Sequence, residues 1–136
     1  MKPCLKVKNL NVLFKRRVDR VHPVRGVDFT LYEGEMLAIV GESGCGKSVM
    51  AKSLLRLLPK DSCDIFADQI EIMGRDIIHL SKKEFRQVCG QEIAMIFQDP
   101  MTSLNPTMKI GKQIGECLKR SEPTLSRKAI KGRVQE

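Results

Sequence analysis

Apolar and polar residues alternate in the first third of the chain, which is typical of strands with one buried face. Within residues 5–14 the apolar residues change from odd to even positions near Asn9, so this strand is predicted to contain a bulge. A basic segment, residues 15–25, separates it from a second alternating run at 27–31, and a turn over 32–35 follows. The pattern predicts two half-buried antiparallel strands.

Two later segments lack this alternation. Met36–Val40 and Ile93–Phe97 are each entirely apolar, as expected of parallel strands that are covered on both faces. Both are much shorter than the roughly 18 apolar residues that span a bilayer. The sequence therefore predicts part of a buried parallel sheet and no membrane-spanning segment.

Apolar residues at helical spacing mark four further segments. One helix is predicted over 48–58, where a proline follows, and a charged helix begins at Ser81 with Glu84 placed for a capping box. Two more are predicted over 110–120 and from Ser126 onward. The last pattern runs to the end of the sequence without a C-cap, so we expect the chain to end within a helix.

A short strand and a loop complete the predicted elements. Ile70 and Ile72 flank Glu71 before a glycine, which predicts a short edge strand. The segment Gln98–Pro106 is rich in turn and capping residues and is predicted to be a loop.

One segment carries the Walker A pattern, G-x-x-x-x-G-K-[ST], between a predicted buried strand and a predicted helix. The residues that fit it are Gly41, Glu42, Ser43, Gly44, Cys45, Gly46, Lys47 and Ser48. Together with Val49 they form the predicted nucleotide-binding segment. Its ligands are predicted to be ATP and Mg²⁺.

Each residue type in this motif has a physical reason. The glycines let the backbone curl so that N–H groups point inward at the positive end of a helix dipole, which favours a triphosphate. Lys47 is predicted to bind the β- and γ-phosphates, and the Ser48 hydroxyl to ligate Mg²⁺. Cys45 is either a redox-sensitive thiol, because a helix N-terminus lowers thiol pKa values, or a small residue that fits the loop; we favour the second interpretation.

The net charge of +8 raises the question of a polyanionic partner. The cations are spread over several segments, however, and aromatic residues, which stack on bases, are 4% of the chain. We therefore predict no nucleic-acid partner and favour solvated faces as the explanation of the charge, part of which is also available to an anionic ligand or a lipid surface. Five scattered cysteines and an N-terminus without a signal-like segment predict reduced thiols and a cytoplasmic location.

The segments around the motif resemble the nucleotide-binding subunits of ABC transporters, and in detail the importers of oligopeptides, dipeptides and nickel. The matching segments are Val27–Leu31, Glu33–Glu35, Val40–Ser48, Ile96–Pro100 and Phe97–Pro106. The resemblance covers nearly the whole chain. It implies an α/β fold of the P-loop NTPase class, in which residues 1–136 are the N-terminal part of one truncated domain: an antiparallel β subdomain, the start of a parallel core sheet and the start of a helical subdomain.

The resemblance also implies roles for single residues. Gln98 matches the Q-loop glutamine, which contacts Mg²⁺ or the attacking water, so Lys47 and Gln98 are the predicted catalytic residues. Phe14 lies where the family places an aromatic ring against adenine, although it also completes the apolar phase of its strand. The segment Met101–Ile114 is expected near the membrane subunit.

The implied partners are permease subunits, a second ATP-binding subunit in a homo- or heterodimer and, indirectly, an extracytoplasmic solute-binding protein. The implied location is peripheral, on the cytoplasmic side of the inner membrane. The LSGGQ signature, Walker B carboxylates, D-loop and switch histidine of the family do not occur in the 136 residues. We therefore expect ATP binding without hydrolysis by this chain alone, and unpaired edges on Met36–Val40 and Ile93–Phe97.

The most favoured function is thus the energy-coupling subunit of a peptide importer, with nickel or another small solute as an open alternative. A soluble P-loop NTPase acting on nucleic acid would need a binding insertion or tail, and none is recognisable. A non-functional truncated product that binds nothing and carries a vestigial motif is the third hypothesis, and failure to fold would support it.

Overall fold

A computed structural model describes residues 2–15, 19–98 and 104–135. The elements in chain order are β1 (Pro3–Lys15), β2 (Arg20–Tyr32), α1 (Lys47–Leu54), β3 (Cys63–Phe66), β4 (Gln69–Ile72), β5 (Arg75–Asp76), α2 (Lys82–Val88), α3 (Ile110–Ser121) and α4 (Arg127–Gln135). They belong to two compact units, Met1–Ile93 and Ala94–Glu136. Among the described helices, none combines the length and the apolarity that crossing a membrane requires.

The first unit is built on an antiparallel sheet around β1. Strand β2 pairs with one edge of β1, while β4 and β3 pair with residues 5–8 and 11–14 on the other edge. The predicted bulge is confirmed, because the register with β2 shifts between Val7 and Leu10 and Asn9 has a φ of 50°. The extra residue lets odd and even positions reach the same buried face.

Strand β2 begins at Arg20, within the basic segment, instead of near Val27. The polar segment before Ile70 contains β3, which the apolar pattern does not predict. Both depend on pairing with β1, a tertiary contact that local composition does not specify. The strand around Ile70 is confirmed, but its predicted edge position is wrong, because β4 pairs with both β1 and β5. The turn after β2 is confirmed and is closed by a 3.1 Å hydrogen bond from Glu35 N to Tyr32 O.

The prediction of two buried parallel strands is wrong. Met36 is 95% exposed and Val40 87% exposed, and neither lies in a strand. In the second segment Ile93 forms an isolated bridge with Cys89, while Ile96 is 97% exposed. A strand requires a paired strand for its backbone hydrogen bonds, and among the described residues neither segment pairs with any of β1 to β5.

Helix α1 ends at Leu54 instead of continuing to Leu58. Arg56 adopts a left-handed φ of 52°, and Leu57 N–H donates to the carbonyl oxygen of Lys52 at 2.9 Å. This is a Schellman motif, which satisfies carbonyl groups at the helix end. The left-handed residue therefore ends the helix before the proline does.

The Arg56 side chain connects the end of α1 to the region around α2. Its guanidinium donates to three backbone carbonyls, those of Ile77, Ile78 and Leu80. It also lies 4.3 Å from the centroid of the Phe85 ring. Phe85 is buried in the core, so Arg56 contacts both backbone carbonyl groups and the apolar core of the unit.

The N-terminus of α2 has the predicted capping box. Glu84 N–H donates to Ser81 Oγ at 3.3 Å, and Ser81 N–H donates to the Glu84 carboxylate at 2.8 Å. The helix then presents Phe85 and Val88 to a core shared with the sheet and α1. The prediction of this helix is confirmed.

In the second unit, α3 and α4 form an antiparallel hairpin, which confirms both predicted helices. Gly111 approaches Val134 and Gly115 approaches Ile130, and a Cβ on Gly115 would lie 3.2 Å from Ile130 Cγ2. Ser126 caps α4, since its Oγ accepts a hydrogen bond from the backbone N–H three residues later.

Candidate functional site: a phosphate-binding loop

Residues 41–48 form a loop that leads directly into α1, as predicted. Gly46 is the N-cap, and its carbonyl accepts the helical hydrogen bond of Met50 N–H at 2.8 Å. Gly44 and Gly46 have φ values of 83° and 104°. Residues with a side chain rarely adopt this left-handed backbone conformation, which explains why the motif has glycine at these two positions.

A close approach to the sheet also restricts Gly46. A Cβ at this position would lie 2.5 Å from the carbonyl oxygen of Pro23, which is on β2. Strand β2 is at the edge of the sheet, where a proline is tolerated because its missing N–H removes no ladder bond. The sequence pattern does not reveal Pro23 as part of the site, since only the tertiary fold brings it to the loop.

The Lys47 ammonium group is hydrogen-bonded to the loop at its surface. Its Nζ donates to the carbonyl oxygens of Gly41 at 2.6 Å and Glu42 at 2.7 Å, and lies 3.5 Å from Cys45 Sγ. A cation beside the N-terminus of α1 makes this surface electropositive. Such a site suits an anion with several charges, such as a triphosphate.

The remaining motif residues differ in exposure. Glu42, Ser43 and Ser48 are exposed, so the Ser48 hydroxyl in the first turn of α1 is accessible to a metal ion. Val49 is half-buried and its side chain packs against the core.

Cys45 is exposed and lies against the start of the loop, where a Cβ on Gly41 would be 2.8 Å from its Sγ. This contact suits a residue that fills space in the loop. All five cysteines are free thiols. Burial raises the pKa of both the Cys63 and Cys89 thiols, which favours their protonated form.

Two predicted site residues are not brought to the loop by any described contact. Phe14 is half-buried and packs against the core of the first unit, so its position agrees with a structural role, and adenine stacking stays a prediction. Gln98 is exposed in a bend of the second unit, and its role at Mg²⁺ also stays a prediction. Part of Met101–Ile114 lies outside the described residues.

A cavity of about 520 Å³ lies elsewhere in the first unit, between the end of α1 and the β3–β4 region. Its lining includes Leu54, Arg56, Lys60, Phe66 and Ile77 and none of residues 41–48. The candidate phosphate site is therefore an open surface of the loop and is separate from this cavity.

Comparison with known proteins agrees with the motif. The family model described as ABC transporter matches residues 24–135. The dipeptide transport ATP-binding protein DppD of Bacillus subtilis (strain 168) is 48% identical over 134 residues, 98% of this chain and 40% of that protein. The oligopeptide transport ATP-binding protein OppD of the same organism is 50% identical over 132 residues, 97% of this chain and 37% of that protein. The chain thus spans less than half of each relative.

Solved structures give the same fold. A dimeric structure of MJ0796, described as a bacterial ABC transporter cassette, has a TM-score of 0.75 at 21% identity, covering 95% of this chain and 53% of that one. Another, a post-hydrolysis state of the same cassette bound to ADP and Pi, has a TM-score of 0.73 at 20% identity, covering 96% and 54%. These likenesses confirm the predicted fold class.

Proposed function

The chain belongs to the ABC transporter family, and we propose that it binds ATP at residues 41–48 within the energy-coupling subunit of a peptide importer. The observation that carries this proposal is that two hydrogen bonds hold the Lys47 ammonium against a glycine loop at the start of α1. A loop of this shape offers backbone N–H groups and a fixed positive charge to phosphate oxygens.

The described residues suit a magnesium nucleotide. Ser48 presents an exposed hydroxyl next to Lys47, and oxygen donors are the ligands that Mg²⁺ prefers. We propose Ser48 and Gln98 as side chains that hold the ion. Bound Mg²⁺ would neutralise charge on the phosphates, while Lys47 orients them.

The names of the relatives support the proposed transport role. Both are described as ATP-binding proteins for the transport of dipeptides or oligopeptides. We propose that peptides are the transported solutes, with nickel as the alternative. The proposed partners are membrane permease subunits, indirectly a solute-binding protein, and a second ATP-binding subunit, which the dimeric cassette structures support. The proposed location is the cytoplasmic face of the membrane.

Nucleotide binding is tested by titrating the chain with a fluorescent ATP analogue in the presence and absence of Mg²⁺. We expect Mg²⁺ to strengthen binding, and Ser48→Ala to remove most of that effect while Mg²⁺-free binding is retained. Ser43→Ala is the matched control, because Ser43 is an exposed loop serine without a proposed ligand role. Equal Mg²⁺ dependence in all three proteins would contradict the proposed metal ligand.

The transport role is tested by co-purification with permease subunits of a peptide importer. We expect the chain to be retained by the permeases of a peptide system and not by those of an unrelated sugar system. Retention by both or by neither would contradict a specific role in peptide import.

A further inference from the structure

Positive charge is concentrated in the hairpin of α3 and α4. Residues 104–135 contain eight Lys and Arg side chains and two Glu, a net charge of +6 out of +8 for the whole chain. All eight cations are on exposed residues. Among the described residues the hairpin contains one ion pair, between Arg133 and Glu122. The rest of the chain is close to neutral, so the excess is a local property of this unit.

The contact between the helices fixes which side chains share a surface. Gly111 and Gly115 of α3 meet Val134 and Ile130 of α4, so the helices run in opposite directions with these residues between them. On each helix, residues three, four or seven positions apart lie on the same side.

This spacing places five cations on one side of the hairpin, here named the basic face. Its members are Lys112, Lys119, Arg127, Lys128 and Lys131, and the exposed Glu116, four residues after Lys112 and three before Lys119, lies on the same side of α3. On α3, the two lysines are seven residues apart and lie together on one side of the glycine contact. Ile110 and Ile114 lie on its other side. On α4, Lys131 follows three and four residues after the other two cations. The Arg133–Glu122 pair is not part of this face.

We propose that the basic face binds the anionic headgroups of a phospholipid membrane. Four of its five members are lysines, whose flexible single charges suit a diffuse layer of negative charge. Residues 104–135 contain no aromatic side chain, so the hairpin has no ring on which nucleic-acid bases could stack. The phosphate-binding loop does not use the positive charge of the hairpin. An anionic membrane, which lies beside any ABC transporter, is a partner that this charge can bind.

The inference rests on the proposed function and extends it, because the basic face of a subunit that acts at a membrane would meet the lipid headgroups. It is tested separately from nucleotide binding, because lipid binding is measured without ATP. Each basic side chain near an anionic membrane is expected to strengthen binding about fivefold, and added salt to weaken it. Neutralising three of them should therefore reduce the partition coefficient roughly a hundredfold.

The experiment is co-sedimentation of the full chain with vesicles of phosphatidylcholine alone or phosphatidylcholine mixed with phosphatidylglycerol. We expect binding to the mixed vesicles only, and loss of binding in the triple variant Lys119→Gln, Lys128→Gln, Lys131→Gln. The same three positions changed to Arg should retain binding. Equal helix content by circular dichroism shows that both variants are folded.

A matched variant, Lys60→Gln, Lys82→Gln, Lys83→Gln, removes three exposed cations from the first unit. We expect it to bind the mixed vesicles like the unchanged chain. Equal losses in the two Gln variants would show a general charge effect and overturn the proposal, as would failure of the unchanged chain to bind. Displacement of the chain from vesicles by a single-stranded oligonucleotide at equal phosphate concentration would also overturn it, in favour of a nucleic-acid partner.

Discussion

Gly46 lies so close to Pro23 that a Cβ on the glycine would be 2.5 Å from the proline carbonyl oxygen. The contact joins the start of α1 to the edge strand β2, so the antiparallel sheet takes part in positioning the phosphate-binding loop. The conformation of the loop therefore depends on the fold of the first unit as well as on its own glycines.

We expect Gly46→Ala to destabilise the chain and prevent ATP binding. The left-handed backbone alone costs about 1–2 kcal/mol for a residue with a side chain, and the overlap with the Pro23 backbone adds to it. Gly34→Ala is the matched control, since Gly34 also has a left-handed φ, 78°, but no atom within 4 Å of an added Cβ. Equal losses of stability in urea unfolding would show that the Pro23 contact has no effect.

Arg56 is expected to stabilise the first unit through its three carbonyl acceptors and the Phe85 ring. Arg56→Met should lower the free energy of unfolding by about 1.5–3 kcal/mol, the range for hydrogen bonds to charged groups. Arg56→Lys should recover little, because an ammonium group cannot reproduce the planar fork. Arg86→Met, on the exposed side of α2, should leave the denaturation midpoint unchanged. A midpoint for Arg56→Met equal to that of Arg86→Met would refute this assignment.

Hydrogen bonds from the Ser81 side chain and backbone hold the pKa of Glu84 below its ordinary value. Because this pKa is lower in the folded than in the unfolded chain, the ionised carboxylate stabilises the fold above the unfolded-state value. That contribution is lost as the pH falls through the folded-state pKa. An NMR titration should show the pKa of Glu84 rising in Ser81→Ala. An unchanged pKa would mean that the capping box does not control it.

The α3–α4 contact is expected to tolerate no large side chain at Gly115, where even a Cβ would lie 3.2 Å from Ile130 Cγ2. Gly115→Leu should separate the helices and speed amide hydrogen exchange throughout the hairpin. Gly132→Leu, at a helical glycine with open space around it, should slow exchange slightly, because leucine favours helix by about 0.8 kcal/mol over glycine. Similar exchange rates in the two variants would argue against close packing at Gly115.

Local sequence signals predict the bulge at Asn9, the capping box at Ser81, the loop at 41–48 and the hairpin helices, because each depends on residues that are neighbours in the chain. They do not predict β3 or the early start of β2, which form only by pairing with β1. The same limit explains the error at Met36–Val40. Five apolar residues indicate a buried strand, but burial requires neighbouring strands that the described residues do not provide.

For the candidate site, the motif identifies the loop but not the contact of Gly46 with Pro23. It also does not show that the Val49 side chain belongs to the core. The roles of Phe14 and Gln98 rest on resemblance, since no described contact brings either side chain to the loop. Such long-range contacts are seen only in the three-dimensional structure, because the spacing of residues in a sequence describes one helix or strand at a time.

The most direct test of ATP binding at residues 41–48 is thermal melting with and without Mg-ATP. We expect nucleotide at about a hundred times its dissociation constant to stabilise the chain by about 2.7 kcal/mol and raise its melting temperature. Lys47→Ala should abolish this rise, whereas Lys52→Ala, on the same helix but away from the loop, should retain it. An equal rise in all three proteins, or none in the unchanged chain, would contradict the account.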